Sequence, residues 1–539
     1  MKRFSAAGRV ADELRAGRIL WRAGAVPRDP GLVRVSAQAA QRYGGLGGMP
    51  TAWASVRPTA VAVIDDRRSL TFGQFAERSY RLANAFRHEF PGATATVGIM
   101  CRNHADALVT MFGAAATGAR VVLLNTDFGP AQVSAVCARE RIDALVYDDE
   151  FADTTTGFEG KRWQSWTASS PHDSELDRLI AAHPAAPPPP APKAASLVIL
   201  TSGSSGVPKG APRSETRSLL LPAGLLSRIP LRGNDKVLVA APVFHGWGLL
   251  VSTLVLSLGS TLILQRRFEA TRALQRLGDD RCGAFIAVPT MVRRMLDLGD
   301  AALSGVDLSA LRIVASGGAR LEPTLVTAAA RTFGPVLYNL YGSTEASFIS
   351  IATPADLADA PTSAGKPPLG VTVRITDEAG RAVPAGSEGR IRVRTPGQIE
   401  AYTDGRRGNS DDGYFDTGDR GRIDDAGRLH VLGRSDNMIV SGGENVYPEE
   451  VELALHAHDG IADAAVVGVD DTEFGQRLRA YIVPVAGTQL EAGDIRTHLA
   501  ALLPRSRMPR DIVIVAELHR TDSGKVSRHT IDELKELHR

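Results

Sequence analysis

A run of small and hydroxyl-bearing residues, Thr201-Ser202-Gly203-Ser204-Ser205-Gly206-Val207-Pro208-Lys209-Gly210, directly follows the apolar segment SLVIL at 196–200. Glycines at 203, 206 and 210 let the backbone turn tightly, so that its N–H groups can face an anion. Thr201, Ser202, Ser204 and Ser205 add hydroxyl donors, and Lys209 adds a positive charge. The group such a loop suits is an anion. Gly and Ser also build flexible linkers, but a Pro-Lys-Gly tail behind an apolar strand is unlike linker composition. The order GxxxxGK[ST] is absent, which disfavours a P-loop kinase or motor ATPase.

Further segments carry chemistry of their own. Tyr338-Asn339-Leu340-Tyr341-Gly342-Ser343-Thr344-Glu345 sets an aromatic face, hydroxyls and a carboxylate close together. A tyrosine ring can stack on a planar group, and a glutamate is a hard oxygen ligand of the kind Mg²⁺ takes. An aromatic-glycine turn leading into a helix cap at Ser343 or Thr344 is the plainer alternative. Ser316-Gly317-Gly318-Ala319-Arg320-Leu321 follows the apolar run LRIVA, and Tyr414-Phe415-Asp416-Thr417-Gly418-Asp419 ends in a carboxylate. One carboxylate can accept from two vicinal hydroxyls, although Thr-Gly-Asp is also common turn sequence. Residues 433–452 (GRSDNMIVSGGENVYPEEVE) and 520–528 (RTDSGKVSR) complete the set. Taken alone, the lysine of the last segment reads as a solvated side chain.

Five of these segments, in order and spread from roughly Thr51 to Arg528, resemble the signatures of the adenylate-forming (AMP-binding) superfamily. That superfamily includes acyl- and aryl-CoA synthetases, stand-alone adenylation domains and beetle luciferases, and this chain most resembles bacterial fatty-acyl-CoA synthetases. The resemblance implies ATP, Mg²⁺ and coenzyme A as cofactor and co-substrates, with a small-molecule carboxylic acid as partner. It places the ATP phosphates on the 201–210 loop, and adenine against the Gly317-Gly318-Ala319 backbone and the Tyr341 ring, with Asn339 and Gly342 in the same nucleotide-binding segment. Thr344 would meet the α-phosphate, Glu345 with Thr344 the Mg²⁺, Asp419 the ribose, and Arg434 the ribose or phosphate. Asp436 would be the hinge of a rotating small domain. Asn437 stands where a second acid is commoner, which leaves the hinge detail open. Gly442 and Gly443 would line a coenzyme A channel, and Lys525 would bridge the acid's carboxylate and the α-phosphate. His245, in Ala241-Pro242-Val243-Phe244-His245-Gly246-Trp247-Gly248, matches a position near the acyl carboxylate, with Trp247 and Gly248 at the acyl pocket. A core histidine and a packed tryptophan are the plainer readings there.

The implied reaction has two steps, formation of an acyl-adenylate with release of pyrophosphate and then transfer of the acyl group to coenzyme A. Loading of a separate acyl carrier protein is the alternative, since the chain shows no fused carrier after Lys525. A luciferase-like oxidative use and a catalytically dead nucleotide binder are weaker rivals. Segments 244–250, 288–291 and 315–321 should line the acid pocket. They are apolar and small, with no evident charge for a second carboxylate, so a medium- or long-chain fatty acid or another apolar acid is expected.

The rest of the 539 residues must position these groups. Composition is ordinary for a globular enzyme, with 44% hydrophobic and 23% charged residues. Sixty-two Lys plus Arg against sixty Asp plus Glu leave a net charge of +2, which suggests no nucleic-acid surface. Cys101, Cys137 and Cys282 lack CxxC spacing and fit reduced, cytoplasmic thiols. The N-terminal thirty residues are too charged for a signal peptide. Gly246 to Leu264 is uncharged and about long enough to span a bilayer, but Gly259-Ser260 divides it into a helix, a turn and a strand. No transmembrane segment is therefore expected, and peripheral membrane contact is left open.

Apolar runs at 60–64, 96–100, 120–125, 143–148, 196–201, 236–242, 284–289 and 311–318 alternate with helical patterns such as 71–90. They predict an α/β fold, a large N-terminal domain of layered, mainly parallel sheets. From about residue 370 shorter strands separated by Gly, Asp and Pro turns predict a β-rich subdomain, and beyond Arg434 a small mobile α+β domain follows. The expected limits are an N-terminal extension at 1–50, a large domain at 51–433, a hinge at 434–436 and a small domain at 437–539. Prolines at 183–193 read as a surface excursion rather than a domain linker. The amphipathic stretch 9–24 has three uses open to it: packing on the large domain, homodimer formation or lipid contact.

Overall fold

Strands covered on both faces need no polar alternation, and each uninterrupted apolar run forms a strand in the computed structural model. The structure describes residues 6–25, 30–168, 173–201, 208–214, 218–408, 412–435, 437–441, 444–471, 475–504, 507–521, 526 and 528–537. An eight-stranded sheet runs in the order Ser347–Ala352, Leu337–Ser343, Ile313–Gly317, Ala284–Ala287, Lys236–Val239, Thr261–Leu264, Val61–Ile64, Ser69–Thr71. Its inner pairings are parallel and its two edge pairings antiparallel. A six-stranded sheet runs Lys161–Trp166, Ala144–Asp148, Thr96–Met100, Arg120–Leu123, Ser196–Thr201, Lys209–Ser214. One apolar core joins the two, with Val97, Ile99 and Val121 of one sheet alongside Val237, Leu262 and Ile286 of the other.

Local sequence sets the element ends. The helix Phe72–Glu89 starts at a capping box in which Thr71 Oγ1 accepts from the Gln74 N–H at 3.2 Å and Gln74 Oε1 accepts from the Thr71 N–H at 2.9 Å. The uncharged stretch after residue 246 forms the helix Gly246–Ser257, a turn at Gly259 with φ +68°, and the strand Thr261–Leu264. None of the described helices is long and apolar enough to cross a membrane. The proline segment lies along the helix Phe72–Glu89: Asn84 Nδ2 donates to the carbonyls of Pro184 and Ala186, both at 2.9 Å. Tyr43 Oη donates to the Pro188 carbonyl at 2.9 Å. It is a fastened excursion that leads into the strand Ser196–Thr201.

Residues 372–434 form a four-stranded antiparallel sheet of Thr372–Thr376, Gly389–Arg394, Phe415–Ile423 and Leu429–Arg434. Beyond it a further sheet is built from Glu444–Val446, Ile439–Ser441, Gly475–Pro484 and Ile461–Asp471, with Asp511–Ile514 parallel to Gly475–Pro484. With the helices Pro448–His456 and Ala492–Leu502 it buries Val451, Leu455, Ile482, Ile495 and Leu499 in a core of its own. At the other end, the helix Ala6–Ala23 buries Ala16, Leu20 and Ala23 in the main core. Of its three open uses, packing on the large domain is therefore realised. The next helix, Pro30–Val56, kinks at Gly44 and passes through residue 50, so the extension ends without a break in the chain's local structure.

A fully buried carboxylate joins the two large sheets. Asp148 ends the strand Ala144–Asp148 and accepts from Ser165 Oγ at 3.1 Å and from the Arg102 N–H at 3.0 Å. His104 Nε2 lies 2.8 Å from it, and Arg266, which follows the strand Thr261–Leu264 of the other sheet, reaches it at 3.3 Å. These cationic partners hold the Asp148 carboxyl below its usual range against the opposing effect of burial. Asp148→Asn should strand His104 and Arg266, lowering the unfolding free energy by about 3 kcal/mol. A urea titration at neutral pH checks this, the expected result being a lower midpoint.

Candidate active site

The carboxyl ends of parallel strands collect the loops that carry the motifs, as is usual in open α/β sheets. Thr201 ends a strand of the six-stranded sheet, and Gly317 ends one of the eight-stranded sheet. The two sheet ends are fastened side by side. Asn103, after the strand Thr96–Met100, donates to the Ala240 and Ala241 carbonyls at 3.3 and 3.1 Å and accepts from the Val243 N–H at 2.8 Å.

At one end, Thr201 pairs with Lys209 across antiparallel strands, which fixes the two feet of the glycine-serine loop. Ser202, Gly203, Ser204, Ser205 and Gly206 lie outside the described residues. Lys209 Nζ stands 6.0 Å from the Tyr402 ring centre, and Tyr402 Oη donates to Glu345 Oε1 at 3.0 Å. Burial and the neighbouring Glu345 push the Tyr402 phenol far above its usual range. Arg213 donates to the Thr344 carbonyl, and burial brings its guanidinium down to about 10 despite the nearby Glu345. A cation, a carboxylate and the Thr344 backbone thus meet at one end of the site.

At the other end, Ser316 and Gly317 pair in parallel with Asn339 and Leu340. Gly318 has φ +89°, a left-handed conformation that L side chains seldom adopt, so the turn through Ala319 requires glycine there. Asn339 Oδ1 and Ser316 Oγ are buried and have no hydrogen-bond partner among the described residues. Tyr341 Oη donates to Asp419 Oδ2, and Arg434 lies 3.8 Å from the other oxygen of that carboxylate. Burial, reinforced by Asp419, pushes the Tyr341 phenol well up. Tyr341, Gly342, Asp419 and Arg434 come together from segments nearly a hundred residues apart.

The segment expected to line the acid pocket runs into the helix Gly246–Ser257. His245 caps the helix Gly246–Ser257, its ring 4.6 Å from that of Phe244. Trp247 is buried and donates from Nε1 to the Ala287 carbonyl at 3.0 Å, which fixes its ring. A Cβ on Gly248 would stand 2.3 Å from the Pro242 carbonyl oxygen, so backbone approach accounts for this glycine. Asp436, Gly442, Gly443 and Lys525 lie outside the described residues.

The small C-terminal unit touches this region through polar groups. Arg320, from the Gly318 turn, donates to the Glu449 carbonyl at 2.8 Å and the Val431 carbonyl at 2.9 Å. His456 Nε2 lies 3.3 Å from Glu322 Oε1. Sequence reading missed Arg213, Tyr402 and Asn103, since none stands in a signature and their roles appear only through tertiary contacts. Elsewhere Cys101, His104 and Asp148 gather within 4.8 Å. Burial drives the Cys101 thiol well up and Asp148 is already held by four partners, so the cluster is neither an activated nucleophile nor a metal centre.

Comparison with known proteins agrees with this geometry. The "AMP-binding enzyme" family model matches residues 51–403, and the "AMP-binding enzyme C-terminal domain" model matches residues 450–525. The chain belongs to the AMP-binding, adenylate-forming enzyme family. It is similar to an indoleacetate–CoA ligase of Aromatoleum aromaticum, 32% identical over 89% of this chain and 96% of that protein. It is also similar to a feruloyl-CoA synthase of an Amycolatopsis species, 31% identical over 90% of this chain and 98% of that protein. Its fold resembles that of ATP-bound MatB from Rhodopseudomonas palustris, with TM-score 0.80, 23% identity, and coverage of 90% of this chain and 99% of that one.

Two outcomes are expected. Asp419→Asn should weaken AMP binding by about 10- to 100-fold, the scale of a charged hydrogen bond, as measured by calorimetry. Glu452 is half-buried, and burial pushes its carboxyl up to about 7 while the Val466 N–H donates to it at 2.8 Å. Because the folded-state value is raised, its contribution to stability is greatest at acid pH and is lost as the pH rises through about 7. Glu452→Gln should remove that loss, leaving the variant more stable than wild type at pH above 7 by on the order of 1 kcal/mol, in unfolding titrations across the pH range.

Proposed function

We propose that the protein is an AMP-forming ligase that joins an apolar, ring-bearing carboxylic acid to coenzyme A. The observation that carries this is the convergence of Lys209, Tyr402 and Glu345 at one end of a site and Tyr341, Asp419 and Arg434 at the other. One end suits polyphosphate and the other a nucleoside. The unpartnered Asn339 Oδ1 suits the exocyclic amine of adenine, and Asp419 with Arg434 suits the ribose.

Glu345 fits a Mg²⁺ ion, being a partly exposed hard carboxylate beside the phosphate-loop lysine. Glu345 and Thr344 would hold it, and when bound it neutralises charge on the phosphates. A carboxylate oxygen of the acid attacks the α-phosphorus, the bond to the β-phosphate bridging oxygen breaks, and pyrophosphate leaves along the 201–210 loop. Lys525 supplies a cation for the charge that gathers on the α-phosphate oxygens. His245 stands where the carboxylate would lie. In the second step the coenzyme A sulfur attacks the acyl carbon and AMP leaves. A single site serving both steps calls for movement of the C-terminal domain, for which Asp436 is the proposed hinge and Gly442-Gly443 the path of the thiol arm.

For the acid, the pocket segments supply Phe244, Trp247, Val288 and Leu321, all buried and apolar. The acids named for the two relatives above are aromatic, which favours a ring-bearing acid over the straight fatty chain expected from the sequence. Incubation with ATP, Mg²⁺ and a panel of aryl and fatty acids, with and without coenzyme A, tests this. AMP release should require both an acid and coenzyme A, and kcat/KM should be higher for aryl acids. Acyl-adenylate that accumulates and ignores coenzyme A would point to a carrier-protein acceptor, and faster turnover of fatty acids would overturn the aryl assignment. Lys525→Ala should slow acyl-adenylate formation by about 100-fold or more while leaving thioester formation from supplied acyl-adenylate nearly intact.

A further inference from the structure

The helix Ala6–Ala23 has two apolar faces, of which one is buried against the large domain and the other is largely exposed. Ala16, Leu20 and Ala23 are buried in the main core, and the Gly233 N–H donates to the Ala23 carbonyl at 2.7 Å. Glu13 accepts from Ser218 Oγ at 2.7 Å and from the Leu219 N–H at 3.1 Å. The helix is therefore fixed to the large domain. On its outer side, Val10, Leu14 and Trp21 are 60%, 65% and 55% exposed. Val10, Leu14, Gly17 and Trp21 follow one another at intervals of four, three and four residues, the spacing of a single helical stripe. A Cβ on Gly17 would meet nothing within 4 Å, so the middle of the stripe is open. Leu219, 43% exposed, adds a further apolar side chain next to Glu13.

Charge identifies what covers this stripe. Arg15, Arg18 and Arg22 are exposed and form a neighbouring row at intervals of three and four residues. Only Arg15 has a carboxylate within the helix, Asp12 at 3.6 Å. Pairing of two copies through the stripe would bring both arginine rows into one rim, where like charges repel. An anionic surface would neutralise them. An apolar row ending in tryptophan with arginines alongside is the pattern of a helix lying in the plane of a bilayer interface.

We propose that the outer face of the helix Ala6–Ala23 docks the enzyme on anionic lipid membranes, with Val10, Leu14 and Trp21 entering the headgroup boundary and Arg15, Arg18 and Arg22 meeting lipid phosphates. The chain's small net charge gives no general attraction to such a surface, so the binding is local to this helix. Apolar acids partition into membranes, and docking would bring the proposed site to its substrate.

Flotation of the full-length protein with vesicles of phosphatidylcholine, and with vesicles that also contain phosphatidylglycerol, tests the docking without reference to catalysis. The protein should float with the anionic vesicles, less so as salt rises. Replacing Arg15, Arg18 and Arg22 with Gln should weaken the partition by about fivefold per arginine, and Leu14→Ser with Trp21→Ser should abolish it. Both variants should keep the wild-type melting temperature and turnover of a water-soluble acid, because these side chains face away from the core. Trp21→Phe should retain binding but lose the blue shift of tryptophan emission on vesicle addition. Equal flotation of all variants, or none by the wild type, would overturn the proposal. So would a concentration-dependent dimer that Trp21→Ser dissociates, which would make the stripe a protein interface.

Discussion

The buried carboxylate of Asp148 is the constraint on which the arrangement of the two large sheets rests. Two parallel sheets with a shared apolar core have little to fix their relative register, because apolar contacts are non-directional. Asp148 supplies direction. Its bonds to Ser165 and the Arg102 N–H lie within its own sheet, while Arg266 comes from the other. A charge in a fully buried position is tolerable only when every oxygen is satisfied, and such a demand can be met in only one alignment. Apolar packing supplies the cohesion and Asp148 the registration.

Registration matters because the site is divided between the sheets. The loop proposed to hold phosphate follows Ser196–Thr201 in one sheet, and the turn proposed to hold the nucleoside follows Ile313–Gly317 in the other. One residue before His104, Asn103 takes hold of the Ala240–Val243 turn that leads to His245. The chain segment 101–104 therefore carries the register of the sheets directly into the wall proposed to hold the acid. A shift of an ångström between the sheets would separate groups that must act on one phosphorus atom, and misplacement on that scale is costly to catalysis.

Much of the fold was legible because buried parallel strands leave a simple mark, a short uninterrupted apolar run. Thr96–Met100 and Ser196–Thr201 were found to the residue. Lys209–Ser214 was not, since Pro212 breaks the pattern; the strand lies at a sheet edge, where a missing N–H costs little. The helical stretch Pro30–Val56 was likewise obscured by Gly44, where its backbone kinks, and by Pro50 within it. In the site, Tyr341, Glu345, Asp419 and Arg434 were readable because their spacing along the chain is itself a signature. Tyr402 and Arg213 were not, for they act on Glu345 and Thr344 across distances the sequence does not encode. The Asp148 cluster was invisible for the same reason, being drawn from five separate positions.

The contacts of the C-terminal unit have a different character from those between the sheets. Its own core is apolar, closed around Val451, Leu455, Ile482 and Leu499. Toward the Gly318 turn it offers the Glu449 carbonyl, which accepts from Arg320, and the approach of His456 to Glu322. Burial holds the His456 imidazole below its usual range, which favours the neutral form and weakens that approach as an ion pair. Polar contacts of this kind can be exchanged for water at little net cost, whereas an apolar seam would have to be exposed. The proposed rotation between two half-reactions would need such a releasable contact on one side and a self-sufficient core on the other. Arg320 lies at the junction, since it belongs to the turn proposed to hold adenine and also grips the first turn of the helix Pro448–His456. Nucleotide bound at that turn as proposed would therefore lie beside a side chain that also holds the C-terminal unit.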